Sequence, residues 1–469
     1  MNNTITQTQV ATQEATDSIN SFIKTYEVTK LLHSCRAHKK KGFASIDIFR
    51  YLLAAMFSPI STYMAMQVGT YKEAFSKNTI YRFCNKSDVN WHKFVRLLSE
   101  RIIRLFFRPA TSDDRIEYFI FDDTPFAKFG RKTELVAKFF NHVNMNYEYG
   151  FRILTMLWTD GFSNIPIDFC PLSSVNSALL RCPAKDVDKR SLAGINRKNA
   201  QRPAPDLMHD MIAYALKAGH SAKYVLFDSW FSSPKCITDI KTNLKLDVIA
   251  MIKKSSKVYY EYDGKQMDIK KIYAANKKRR GRSKYLLSVD VNLIQKEKGK
   301  VISRIPARIV CVRNKSNKKE WIALISTDTS ITEEEIIRRY GSRWNIEVFF
   351  KTCKQYLKMT KECRSTSFDA MTCHLAIVCI RYMMLSLYQR SNSDERSLGE
   401  LFWSYAAEVA EISFNQAMNL IVMALLETVK EFFAVSDEQM SLFVDSFISK
   451  LPAHLQLALR GSIKTTAIA

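Results

Sequence analysis

Acidic residues are scarce in this chain. Asp and Glu number 46 against 70 Lys and Arg, a net charge of +24 over 469 residues and a pI near 9.5. So large an excess on a folded chain points to a polyanionic partner, because each Lys or Arg seated on a phosphate releases condensed counterions. A solvated basic surface, ribosome association or an anionic membrane are the plainer alternatives, and length and charge together favour nucleic acid. Metal-finger patterns are missing too. The ten cysteines contain no Cys-x-x-Cys pair and no Cys/His quartet at zinc spacing, and the adjacent Cys373 and His374 are too close for one. Scattered thiols of this kind read as small buried hydrophobes in a reducing compartment. The first twenty residues show neither a basic nor an apolar signal region, and the apolar runs Cys373–Ile380 and Leu420–Leu426 are too short to span a bilayer. A cytoplasmic protein without a membrane partner is expected. No Gly-rich phosphate loop, internal repeat or coiled-coil pattern is visible, so ATP hydrolysis is not expected.

Apolar residues make up 47% of the chain and aromatics 12%, enough for sizeable cores and too much for a disordered protein. At this length roughly two to four domains are expected. Residues 1–20 read as a loose tail. From residue 21 to 112 the pattern is helical, with starts at Ser45 and Ser76 and a basic amphipathic stretch from Trp91 to Phe107. A small helical DNA-binding domain and a helical cap on the next domain are equally compatible with it. Residues 113–245 alternate strands and helices, beginning with the apolar run Ile116–Phe121. Residues 246–328 read as a β-rich insertion with basic loops, the densest being Lys277–Lys284. Thr332 followed by three Glu starts a helical segment, 329–390, and residues 391–469 are helical in pattern.

Two short apolar strands end in acid. Ile116–Phe121 runs into Asp122 and Asp123, and Tyr224–Phe227 runs into Asp228. Carboxylates at adjacent strand ends can converge on hard divalent cations such as Mg²⁺. Two ions roughly 4 Å apart can activate an attacking oxygen and stabilise a leaving one. Taken singly, a strand-ending Asp is more often structural. A third acid sits in a helical pattern where Tyr340, Arg343, Glu347 and Lys354 fall at helical spacing on one face, a carboxylate among cations. The plainer reading of that face is a surface helix with an Arg343–Glu347 ion pair.

The pattern Tyr-x₂-Arg-x₃-Glu-x₆-Lys, matched at all four positions, resembles the signature of a group of bacterial insertion-sequence transposases of the DDE type. Phe121-Asp122-Asp123-Thr124 and Leu226-Phe-Asp228-Ser-Trp-Phe-Ser are similar to that group's first and second acidic motifs. The resemblance covers roughly residues 115–385. It implies an α/β fold with a ribonuclease H-like catalytic core interrupted by a β-rich insertion and flanked by helical regions. It further implies two Mg²⁺ or Mn²⁺ ions on Asp122, Asp228 and Glu347, and double-stranded DNA as partner to a homodimer. Of the neighbouring Asp122 and Asp123 only one should reach the metals, since successive strand residues face opposite ways; Asp122, at the end of the apolar run, is favoured. Tyr340, Arg343 and Lys354 resemble DNA-contacting residues. Lys128, Lys132 and Lys138 could line a DNA channel, and Trp321 could stack on a base, although Trp321 and Trp230 both suit core packing. The implied activity is cleavage of element ends and transfer of their 3′-OH groups into target DNA. A stand-alone metal-dependent nuclease and an inactive or domesticated DNA-binding protein are the rival readings.

Overall fold

The computed structural model describes residues 18–391, apart from positions 40, 59, 60, 68, 70, 72, 113, 142, 143, 282, 298, 299 and 315–319, together with scattered positions between 439 and 450. The chain forms two compact units, one of residues 1–25, 49–74 and 395–469 and a larger one of residues 26–48 and 75–394. Within the first, Tyr51 meets Thr62 through their hydroxyls at 2.6 Å. The segments read above as a loose tail and as a helical C-terminal region lie largely outside the described residues.

Helices α1 (Val28–Ser34), α2 (Ser45–Ala54), α3 (Thr62–Gln67), α4 (Lys77–Cys84) and α5 (Trp91–Ile102) precede the first strand. The amphipathic stretch read from the sequence is α5, which buries Trp91, Phe94, Val95 and Leu98 and is capped by the Asn90 side chain. A π-helical turn, Ile103–Phe107, then leads toward the sheet.

The larger unit is organised by an eleven-stranded mixed sheet. Its first half is made of β1 (Tyr118–Ala127), β2 (Ala137–Asn141), β3 (Asn146–Thr159), β4 (Asn164–Leu172), β5 (Tyr224–Phe227) and β6 (Asp247–Ile252). β4 pairs antiparallel with β3, β3 antiparallel with β1, β1 parallel with β5 and β5 parallel with β6. That order and those directions are the ribonuclease H-like arrangement. β1 and β5 are central and parallel, so both faces are covered and they read as unbroken apolar runs; Phe119, Ile120, Phe121 and all of β5 are fully buried. Helices α6 (Leu192–Ala200), α7 (Ala204–Lys217) and α8 (Pro234–Asn243) lie in the connections on either side of β5.

The sheet does not stop at β6. β7 (Tyr259–Tyr262), β8 (Lys265–Asp268), β9 (Leu287–Glu297), β10 (Lys300–Arg313) and β11 (Trp321–Ser326) continue it in the order β6-β11-β10-β9-β7-β8, with α9 (Ile269–Ala275) alongside. The β-rich segment is therefore an extension of the core sheet, and its first strand belongs to the core itself. The chain then enters α10 (Glu333–Gly341), capped by Thr332 as the sequence suggests, a 3₁₀ turn (Ser342–Trp344), α11 (Asn345–Gln355) and α12 (Phe368–Ser391). By length and composition α12 could cross a membrane, but 89% of its apolar window is buried within the protein, which makes it a core helix. The helix continues beyond the apolar run through Arg381, whose guanidinium is fully buried, donating to the Leu357 carbonyl at 3.1 Å and pairing with Glu362 at 2.7 Å.

Candidate active site

The first acidic motif lies inside a strand. β1 runs through Asp122, Asp123, Thr124 and Pro125 to Ala127 instead of turning after Phe121. Proline is tolerated because β5 pairs β1 only as far as Phe121, so beyond it β1 has a neighbour, β3, on one side alone. Phe121 and Phe227 form the last rung between the two parallel strands, which makes Asp122 and Asp228 the next residue on each. Two carboxyls thus emerge side by side where the sheet loses a strand.

Alternation separates the neighbouring aspartates. Asp122 stands opposite Thr155 and Asp123 opposite Leu154, so their side chains leave opposite faces of β1. Asp122 Oδ1 accepts the Asp123 backbone N–H at 2.8 Å and its Oδ2 accepts from Arg343 at 3.0 Å. Asp123 instead pairs with Arg152 of β3 at 2.6 Å, a diagonal cross-strand partner on its own face. Burial, then the charge of Asp228, raises the Asp122 carboxyl to about 7, with Arg343 acting against both. The Asp228 Oδ1 accepts the backbone N–H of Trp230 at 2.8 Å.

Glu347 arrives on α11, which packs over β1. One helix face was expected to carry Tyr340, Arg343, Glu347 and Lys354. The structure breaks that helix with the 3₁₀ turn, yet the first three still gather. The Arg343 fork donates one nitrogen to Asp122 and the other to Glu347 at 2.6 Å, and its Nε is buried with no hydrogen-bond partner among the described residues. Tyr340 lies against the same charges; burial chiefly, opposed by Arg343 and assisted by Asp228, pushes its phenol up to about 12. Lys354 is placed elsewhere: it is half-buried two turns along, with Glu148 of β3 as its charge neighbour, and burial lowers its pKa.

The other expected DNA contacts are scattered. Lys128 donates to the Cys363 carbonyl and is partly buried. Lys132 and Lys138 are exposed, the latter over the Tyr147 ring. Trp321 is stacked on Tyr273 at 4.2 Å, far along the sheet on β11. Trp230, which the sequence placed in the core, is 50% exposed beside Asp228, with Arg152 and Lys253 over its ring at 5.0 and 4.2 Å. Arg152 and Lys253 went unnoticed in the sequence because only strand register brings them to the acids.

Asp122, Asp228 and Glu347 offer hard oxygen donors alone, a set suited to a divalent cation. Burial first and the charge of Asp228 second keep the Asp122 carboxyl raised even with Arg343 beside it, and a divalent cation held there would act in the opposite direction. Among the described residues no three acidic, histidine or cysteine side chains stand close enough to enclose an ion as they are. Here the Arg343 fork spans Asp122 and Glu347.

Residues 50–297, more than half of the chain, match the sequence model of the family described as DDE superfamily endonuclease, and the chain belongs to that family. The matched span includes both aspartate motifs and ends before Glu347. No curated protein matches the sequence. Among solved structures, the chain is similar to the Drosophila P element transposase strand transfer complex, at 13% identity and a TM-score of 0.25, over half of this chain and half of that one.

Proposed function

We propose that this DDE endonuclease is a DNA transposase of the bacterial insertion-sequence kind, acting in the cytosol on double-stranded DNA. Asp122, Asp228 and Glu347 would hold two Mg²⁺ or Mn²⁺ ions, which when bound activate the attacking oxygen and stabilise the leaving one. The observation that carries the reading is the convergence of Asp122, Asp228 and, through Arg343, Glu347 at one end of a ribonuclease H-like sheet. The chain's own contribution is positioning and charge. Arg343 keeps a buried Nε donor for a phosphate oxygen beyond the two carboxylates it already serves. Tyr340 stays protonated at working pH and can donate a hydrogen bond to the same phosphate. No side chain is asked to act as nucleophile: water attacks at the element's end, and the freed 3′-OH then attacks target DNA. Joining two ends requires two copies of the chain, so a dimer on DNA follows from the chemistry.

The test is cleavage of a plasmid bearing the cognate ends in Mg²⁺, with nicked and joined products scored separately. The wild-type chain yields both. Glu347→Gln, which removes a carboxylate without changing volume, loses both while binding DNA as before. Retained cleavage by this variant rules out the assignment of Glu347. Nicking without joining makes the protein a nuclease, and binding without either makes it a DNA-binding protein.

A further inference from the structure

Six cations and no acid occupy the eight residues Lys277–Lys284, between α9 and β9. A flexible run of this composition would ordinarily be a solvated loop, its charges spreading apart to limit their repulsion. Here the loop is built. Its turn passes through Gly281 at φ +74°, and Arg313 of β10 fastens it by donating to the Ser283 and Gly281 carbonyls at 2.9 and 3.0 Å. The Arg279 N–H donates to the Leu286 carbonyl at 2.8 Å, tying the loop to the start of β9. A further cation is thus spent on holding cations together.

The side chains are seated as well. Tyr273 of α9 and Trp321 of β11 stack 4.2 Å apart at 13°, with Lys278 over Tyr273 at 4.7 Å and Lys254 over Trp321 at 5.1 Å. Arg279 lies over Tyr285 at 4.2 Å. Lys277, Arg280 and Lys284 are exposed. The two acids that line one hollow with Lys277 and Arg279 are engaged, Asp290 with Arg308 at 2.8 Å and Glu333 with the charges of Arg308 and Arg279. Pre-placing like charges costs free energy in the free protein, and a polyanion of fixed charge spacing recovers it on binding.

We propose that Lys277, Lys278, Arg280 and Lys284, on this aromatic footing, form a second binding surface for the phosphate backbone of duplex DNA, distinct from the carboxylate site. The surface rests on the reading of the protein as an enzyme acting on DNA. β9 is five strands from β1, roughly 20–25 Å at the ordinary strand spacing. It therefore meets a different stretch of duplex from the one at the acids. Trp321 serves here as a positioning residue beneath Tyr273, with no base to read.

The experiment is the salt dependence of affinity for a fluorescent linear 40-base-pair duplex of arbitrary sequence, in EDTA, using the full chain. The wild-type affinity falls steeply with salt. Lys277→Ala/Lys278→Ala/Arg280→Ala/Lys284→Ala, folded by thermal melting, lowers the slope of log affinity against log salt by about three to four, near 0.9 per lost phosphate contact. Arg313→Lys keeps its charge but cannot reach both carbonyls with one fork; it weakens binding by about fivefold with the slope little changed. A steep wild-type slope retained in full by the fourfold variant overturns the proposal. A wild-type chain with no affinity for duplex overturns the DNA reading itself, and the proposal with it.

Discussion

Asp122 and Asp123 are neighbours of opposite strand parity, and parity gives them different partners. Asp122 joins the charge cluster of Asp228, Arg343 and Glu347, while Asp123 satisfies Arg152 on the opposite face. Asp122→Asn is expected to remove plasmid cleavage and leave the melting temperature at or above the wild-type value, because a carboxyl that burial and Asp228 hold at about 7 gives up an unfavourable charge. Asp123→Asn leaves the Arg152 guanidinium without its counter-charge and should cost about 1–3 kcal/mol of stability, with cleavage retained at temperatures where the variant is folded. Nicking assays paired with melting curves on both variants decide the matter; a stable but inactive Asp123→Asn would reverse the assignment. Much of this was legible beforehand, since two apolar runs ending in Asp and the Tyr340–Arg343–Glu347 spacing mark the site. The partners were not. Arg152 reaches Asp123 through the β1–β3 register, and Lys354 is drawn toward Glu148 of β3, contacts that no local pattern encodes.

At the scale of elements, the strands easiest to read were those buried on both faces. β1 and β5 stand out as continuous apolar runs, whereas β2 (Ala-Lys-Phe-Phe-Asn) is short and broken by Lys138, and β8 (Lys-Gln-Met-Asp) is short and mostly polar, so neither carries such a pattern. Helix α6 was hidden in a polar, Pro-containing stretch because part of what it buries is charged: Arg197 pairs with Glu134 at 2.5 Å and Asp369 at 2.9 Å, which binds α6 to the start of α12. The extension of β1 past Pro125 was equally hidden, and it has a steric condition. Opposite Ala127, Gly150 has φ +155°, and a Cβ there would lie 2.1 Å from the Phe126 carbonyl oxygen. That oxygen is backbone in a paired strand and cannot move aside alone. Gly150→Ala should therefore cost on the order of 2 kcal/mol or more, lowering the melting temperature and parting the strands just beyond the acid. An unchanged melting temperature would show that β1 and β3 are not paired this far.

For the whole molecule, stability should depend on pH with a definite sign. Burial holds His220 and His374 down at about 4, so each stays neutral in the folded protein while its unfolded counterpart titrates near 6.5. As pH falls from about 6.5 to 4 the unfolded chain takes up these protons first, and stability drops. Asp122 opposes this between about 7 and 4, because its raised carboxyl protonates in the folded state first, but two histidines outweigh one carboxyl. Asp168, Glu134 and Glu362 act lower still. Burial alone would raise them, yet Arg96 with His92, Arg197 and Arg381 respectively hold them below the usual carboxylate range. Their contribution is complete above the unfolded value near 4 and is lost as pH falls through the folded ones. Melting curves in EDTA should be level from pH 8 to 7, decline below about 6.5, and fall more steeply below about 4. A melting temperature that rises between pH 6.5 and 5 would mean that Asp122 outweighs the histidines.

The core helix α12 is buried almost throughout, packs against α4, α5, β4 and α11, and follows every strand of the sheet in chain order. A chain emerging from the ribosome presents Asp122 and Asp228 long before the segment that covers their sheet has been made. Until Phe368–Ser391 is out, the large apolar surface that this helix covers has nothing to pack against, and Glu347 sits on a helix whose own support is missing. The order of the chain thus delays assembly of the proposed carboxylate site until its last supporting helix, Phe368–Ser391, has been made.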